Sequence, residues 1–321
     1  MLKKQRKIPL IILKLEALLR RLPSHHPWRA KIDEDLAKFK AGYRGEQALD
    51  YYLDTLPKND FYIFHDIRLP YKKDKFFQLD TLIVTPWYII ILEVKNISGT
   101  LYFDQSFNQL LRTLNGKEEA FPDPILQIKR QKIKFEGWLK KQIFSTIPIL
   151  FYVVISNPST LIKAKSESIK NIVIHAGAIP DRFESVRSRF KDEKLTKKEM
   201  NRMSRLLIKH HSHAENNVLA QYKIQKSELI KGVQCPGCRK FAMERVIGAW
   251  FCTYCRIRSN HAHVSALNDY RLLINDEITN REIRDFLLFT SRQTATRLLT
   301  SQTATQTGNQ KNRKYILQLP D

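Results

Sequence analysis

Two carboxylates and a lysine interrupt the most apolar stretch of the chain, QLDTLIVTPWYIIILEVKN at residues 78–96. Glu93 and Lys95 are two residues apart, so on a strand their side chains share one face. Asp80 belongs to the preceding strand of a hairpin broken at Pro86-Trp87, and hairpin pairing brings it alongside. Burying such groups unpaired is costly. They must therefore be paired, bound to a metal, or placed at a strand end that opens into a cleft. Divalent-metal phosphodiester hydrolysis needs such a set: two carboxylates bind Mg²⁺ or Mn²⁺, and a lysine positions the nucleophile or stabilises the pentavalent phosphate. The plainer alternative is an ion pair between Glu93 and Lys95, with Asp80 capping a strand.

A second chemical set lies further on. All four cysteines fall in Cys235-Pro-Gly-Cys238 and Cys252-Thr-Tyr-Cys255, two C-x-x-C turns separated by 13 residues. Each turn offers two thiolates, and Gly237 permits a tight backbone, so the pairs close a structural Zn(Cys)₄ site. The pattern is similar to zinc ribbons, with hairpin strands expected at Phe241–Val246 and Gly248–Phe251. His261 and His263 follow closely as alternative ligands, but four cysteines leave them as surface residues. Clustering of cysteines with none elsewhere is metal-site usage in a reducing compartment, and no disulfide framework is expected.

These residues need elements to position them. Ile32, Leu36, Phe39, Tyr43 and Leu53 have the spacing of one helical face over 29–55, and Glu46 projects from the middle of it as a further carboxylate. Strands are expected at Phe61–Asp66, in the hairpin, at Thr100–Phe103, over the apolar run Ile147–Ser156, and at Asn171–His175. A helix is expected over Pro124–Gln142, with proline suited to its first turn. Gln127 and Gln131 at the edge of its apolar stripe could hold the lysine or a metal-bound water, Gln131 being the more exposed expectation.

In order, GYRGE (Gly42 to Glu46), QLDTLIV, ILEVKN and the PxxQ of Pro124 to Gln127 resemble the NERD domain, the nuclease-related domain, and its wider restriction-endonuclease-like superfamily with a D…ExK signature. The resemblance runs from about Ala41 to Ser156. It implies an α/β fold with a mixed sheet flanked by helices, Asp80, Glu93 and Lys95 as the catalytic set, Glu46 and Gln127 in support, and DNA as the substrate. It also leaves open a homodimer, since many such nucleases cut two strands as pairs.

Towards the C-terminus, a helix around Asp269–Ile274 precedes Thr279-Asn-Arg-Glu282, a capping box that opens a second helix. Thr290 or Ser291 caps a third helix, whose Ala295, Leu298 and Leu299 face inward. The order of these elements followed by KNRKYILQL resembles a winged helix-turn-helix, although the turn LLFT lacks the customary glycine. That resemblance implies that Arg292, Gln293 and Arg297 read or clamp DNA and that Lys311, Arg313 and Lys314 grip its backbone.

The resulting organisation is a basic amphipathic segment at 1–28, the nuclease-like domain at 29–180, a charged helical connector at 181–231, the zinc ribbon at 232–262 and the winged-helix-like unit at 266–319. With 321 residues and 43% apolar content the chain is long enough for several cores. A formal charge of +23 points to a polyanionic partner, nucleic acid first and an anionic membrane surface second. The start MLKKQRKIPLIILKLEALLR is basic and then apolar, but Lys14 and Glu16 interrupt it and it is too short to span a bilayer. It reads as an amphipathic helix for a surface or partner, in a cytoplasmic protein. The rival function is a DNA-binding regulator that uses the nuclease-like fold as a scaffold.

Overall fold

The computed structural model describes residues 1–57, 60–144, 146–302, 305–308 and 313–318. The chain begins with a short strand β1 (Leu2–Lys4), helix α1 (Leu10–Arg21) and the long helix α2 (Arg29–Asp54). Strands β2 (Tyr62–Lys72), β3 (Lys75–Val84) and β4 (Ile89–Lys95) follow, then helix α3 (Pro124–Lys141). It divides into two compact units: Met1–Ile8 with Lys40–Ala214, and Pro9–Phe39 with Glu215–Asp321.

The first unit is built on a six-stranded mixed sheet of order β1, β2, β3, β4, Ile149–Ile155, Val173–His175. The β2–β3–β4 meander is antiparallel, while β4 pairs in parallel with Ile149–Ile155. Central position explains the isoleucine-rich sequence of β4: six of its seven residues are buried. At the hairpin, Thr85 Oγ1 accepts from the N–H groups of Trp87 and Tyr88, so the break at Pro86 leaves no orphaned amides there. A second, four-stranded sheet joins Lys117–Pro122, Gln109–Leu114, Thr100–Asp104 and Leu161–Ala164.

Helix α3 starts where the sequence places it. Asp123 is its N-cap, accepting from the Ile125 N–H at 2.7 Å, with Pro124 at the first position. Its buried stripe is Ile125, Ile128, Gln131, Phe135, Trp138 and Leu139, so Gln131 occupies a core position of the helix. Helix α2 spans the expected range, but Phe39 is 43% exposed and lies off the buried face expected for it. Gly45 marks a close approach: a Cβ there would lie 2.4 Å from Asn96 Cβ and 2.7 Å from Ser156 Oγ. That contact seats α2 on the ends of β4 and its parallel neighbour, and Asn96 Nδ2 donates to the Ala41 carbonyl across the same junction.

The N-terminal segment departs from the expected single helix. Leu2–Lys4 pairs in parallel with β2, where an edge strand offers unmet backbone groups. The apolar face of α1 is covered as well: Ile11, Ile12, Leu15, Ala17 and Leu18 are buried in the second unit, whose strongest α1 packing is with the helix Ala262–Leu273. Arg21 on α1 is fully buried, its Nε 2.9 Å from Asp269 Oδ2 and its guanidinium over the rings of Phe241 and Phe286.

In the second unit, Met243–Arg245, Trp250–Cys252 and Arg258–Ser259 form one three-stranded antiparallel sheet. A second sheet, Glu277–Thr279, Lys314–Ile316 and Thr305–Thr307, sits with helices Asn280–Leu287 and Arg292–Gln302. The capping box at Thr279 and Glu282 is present, and of the two candidate caps for the last helix Ser291 accepts from the Thr294 N–H. Leu288, at φ 59°, takes the left-handed turn position where a glycine is customary. Ala295, Leu298 and Leu299 are buried as expected, and they share one core with Cys235, Cys252 and Trp250.

Candidate active site and metal centre

Asp80 and Glu93 stand one residue beyond Thr81 and Leu92, the end of the β3–β4 pairing, so they face each other where the hairpin strands part. Asp80 Oδ2 accepts from the Val94 N–H at 2.9 Å. Glu93, 2% exposed, takes three donors: Lys95 Nζ at 2.7 Å and Gln127 Nε2 at 2.6 Å on Oε1, and Gln131 Nε2 at 2.9 Å on Oε2. Gln127 Oε1 in turn accepts from Lys95 Nζ at 3.1 Å. Asp80, Glu93, Lys95 and Gln127 are thus gathered at one strand end. Gln131, expected to be exposed, joins them because its helical phase points inward; that phase was its signal in the sequence.

Glu46 reaches the same neighbourhood from α2, and its carboxylate is fixed by Arg6 at 2.6 Å. Burial, then the charges of Glu93 and Glu46, push the Asp80 carboxyl well above the usual aspartate range. Burial likewise raises Glu46, against the opposing Arg6 charge. Asp66, a carboxylate that the sequence did not single out, is held at φ 52° in β2, is raised by burial, and adds its charge to Glu46. The polar pair His65-Asp66 inside an apolar strand was the available hint. A carboxyl raised by neighbouring carboxylates is one whose ionised form gains from a cation, which is the donor chemistry a hard divalent ion requires. Beside the set lies a cavity of about 620 Å³, lined among others by Phe77, Gln127, Arg130, Gln131 and Lys134.

The four cysteines converge. Their sulfurs all lie within 4.8 Å of one another, with Cys235 Sγ 3.5 Å from Cys255 and Cys238 Sγ 3.6 Å from Cys252. Tetrahedral Zn–S bonds of about 2.3 Å set S···S edges of about 3.8 Å, so the thiolate set fits structural zinc. Among the described residues it is the one group of three or more His, Cys, Asp or Glu side chains close enough to share an ion. The left-handed positions of the two turns are Arg239 and Arg256, at φ 59° and 62°. Gly237 does not take a left-handed conformation; a Cβ there would meet the tip of the exposed Ile257 side chain, Cδ1 at 2.3 Å, which would have to shift. His263 is not a surface residue: it is buried, and Trp250 Nε1 donates to its Nδ1 at 3.2 Å. His261 is exposed.

On the last helix, Arg292, Gln293 and Arg297 are exposed. Arg313 is exposed too, whereas Lys314 Nζ is paired with Glu277 at 2.7 Å. Lys311 lies outside the described residues.

The first unit is thus a mixed sheet flanked by helices, with a carboxylate pair and a lysine at the opening strand ends. Residues 41–156 match the family model of the nuclease-related domain, NERD, so the chain carries that domain over roughly a third of its length. No curated protein and no solved structure matches the chain. No helix among the described residues is long and apolar enough to cross a membrane.

Proposed function

We propose that this protein hydrolyses phosphodiester bonds of DNA with a divalent metal, at Asp80, Glu93 and Lys95. The observation that carries the reading is the Glu93 carboxylate held by Lys95, Gln127 and Gln131 opposite Asp80, inside the segment that matches the nuclease-related domain. Asp80 and Glu93 would hold Mg²⁺ or Mn²⁺, which when bound supplies Lewis-acid activation of water and neutralises phosphate charge. Lys95, held between Glu93 and Gln127, would position the nucleophile or offer its charge to the phosphate. Gln127 and Gln131 keep Glu93 oriented, and Glu46 adds its carboxylate. Arg130 and Lys134 on the rim of the neighbouring cavity offer charge to the backbone of an incoming strand.

The second unit would deliver the DNA. Arg292, Gln293 and Arg297 present a polar, arginine-bearing helix face, Arg313 stands on the adjoining strand side, and the zinc-held ribbon carries further exposed arginines. A winged helix-turn-helix is the reading that the order of its helices and strands supports. Two copies acting together would allow cleavage of both strands.

The test compares cleavage and binding by wild type and Lys95→Ala. Cleavage that needs Mg²⁺ or Mn²⁺, lost in Lys95→Ala while DNA affinity persists, supports the nuclease. Tight DNA binding with no cutting in any metal moves the protein to the regulator class.

A further inference from the structure

The site has a contributor from outside the segment that resembles any nuclease. Leu2–Lys4 docks beside β2, and Lys4 Nζ donates to the carbonyls of His65 and Asp66 at 2.8 and 2.9 Å, fixing the segment where β2 bends. Two residues later the Arg6 side chain, 3% exposed, enters between α2 and the sheet. Its Nη1 donates to Glu46 Oε2 at 2.6 Å; its Nη2 lies 3.2 Å from Asp50 Oδ1, 2.8 Å from His65 Nδ1 and 3.3 Å from Thr81 Oγ1. One guanidinium thereby ties α2 to β2 and β3 next to Asp80.

A buried ion pair adds little net stability over an apolar packing of the same volume, so this arrangement points to placement of groups. Both terminal nitrogens are spent on protein acceptors, which leaves Arg6 unsuited to gripping a substrate phosphate. What it controls is Glu46, a carboxylate that burial alone would leave unpaired beside Asp66, Asp80 and Glu93.

We propose that Arg6 is a positioning residue of the hydrolytic site: through Glu46 and Thr81 it holds α2 and β3 in the register that completes the acidic pocket of Asp80 and Glu93. The inference rests on the nuclease reading. A planar fork is needed for it, since a single ammonium cannot serve four acceptors on three elements.

The full-length wild type, Arg6→Ala, Arg6→Lys and Asp80→Ala proteins are compared for Mg²⁺-dependent DNA cleavage and, separately, for Mn²⁺ binding by electron paramagnetic resonance, with and without methylguanidinium. Arg6→Ala should lower kcat and Mn²⁺ affinity by about 10- to 100-fold, as loss of an outer-sphere support does. KM should stay within about twofold. Methylguanidinium should restore part of both in Arg6→Ala and nothing in Asp80→Ala, and Arg6→Lys should lose less than Arg6→Ala. A folded Arg6→Ala with wild-type kcat and Mn²⁺ affinity, or losses that methylguanidinium leaves untouched, overturns the proposal. If Arg6→Ala does not fold, Arg6→Lys decides, and wild-type kcat and Mn²⁺ affinity in it overturn the proposal. A wild type that binds Mn²⁺ without cutting DNA defeats the nuclease reading alone, and loss and rescue of Mn²⁺ binding still support the role of Arg6. A wild type that neither cuts nor binds Mn²⁺ overturns both.

Discussion

Gln131 donates from Nε2 to Glu93 Oε2 at 2.9 Å from a position inside the apolar stripe of α3. Its Oε1 is buried with no hydrogen-bond partner among the described residues. An amide kept in a core stripe at the cost of an unmet acceptor orients Glu93 better than it stabilises the helix. Gln131→Leu removes the unmet Oε1 but leaves Glu93 Oε2 without its donor, so the unfolding temperature should stay level or fall, and metal-dependent cleavage should drop about 10- to 100-fold. Equal cleavage by the variant and wild type would remove Gln131 from the site.

The two glycines of GYRGE should behave oppositely. A Cβ at Gly42 would have nothing within 4 Å, so Gly42→Ala should stabilise α2 by about 1 kcal/mol. Gly45→Ala would press on Asn96 and Ser156, and should cost about 1–3 kcal/mol through overpacking. Urea unfolding of the two variants measures both, and similar stabilities would contradict the close seating of α2.

Acid should weaken the first unit through its histidines. Burial first, then the charges of Arg6 and Lys4, press His65 down to about 3, and burial chiefly presses His211 down to about 4. The folded values lie below the unfolded value near 6.5, so the fold carries neutral rings where the unfolded chain takes up protons. Their contribution is complete above about pH 6.5 and declines as pH falls toward those depressed values. The two histidines should pull the urea midpoint down between about pH 7 and about pH 5, against the opposite pull of the raised carboxyls of Asp80, Glu46 and Asp66, which take up protons in the fold. In His65→Gln, whose amide oxygen can accept from Arg6, the drop should be smaller; an undiminished drop would contradict the assignment.

Much of the fold and site is legible in the sequence because it rests on period and spacing. The Ile-rich β4, the proline-led α3, the capping box at Thr279 and the cysteine turns each carry a local signal, and the structure has them. The acid pair and Lys95 stand out for the same reason: they are polar residues inside a strand that must be buried. Arg6 and Asp66 escape a sequence reading, because what defines them is long-range. Arg6 matters only once β1 has paired with a strand some sixty residues away, and a basic start followed by an apolar run looks locally like one helix. The strands Gln109–Leu114 and Lys117–Pro122 escape it because they are short and neither QLLRTL nor KEEAFP alternates apolar with polar residues.

Zinc removal should reach beyond the ribbon. Cys235, Cys252 and the fully buried Trp250 share a core with Ile283, Leu298 and Leu299 of the C-terminal helices. Chelation, or Cys252→Ser, should release the metal and redden Trp250 emission together with loss of helical signal from the second unit. Zinc release with that helical signal intact would show the two parts to be independent.

The most direct test of the central claim is incubation of wild type and Asp80→Ala with labelled linear, circular and single-stranded DNA in Mg²⁺, Mn²⁺ or EDTA. The account predicts cleavage by the wild type in a divalent metal, none in EDTA, and loss of cleavage in Asp80→Ala with folding and DNA affinity largely retained. Cleavage by Asp80→Ala at the wild-type rate, or no cleavage by the wild type in either metal, would contradict it.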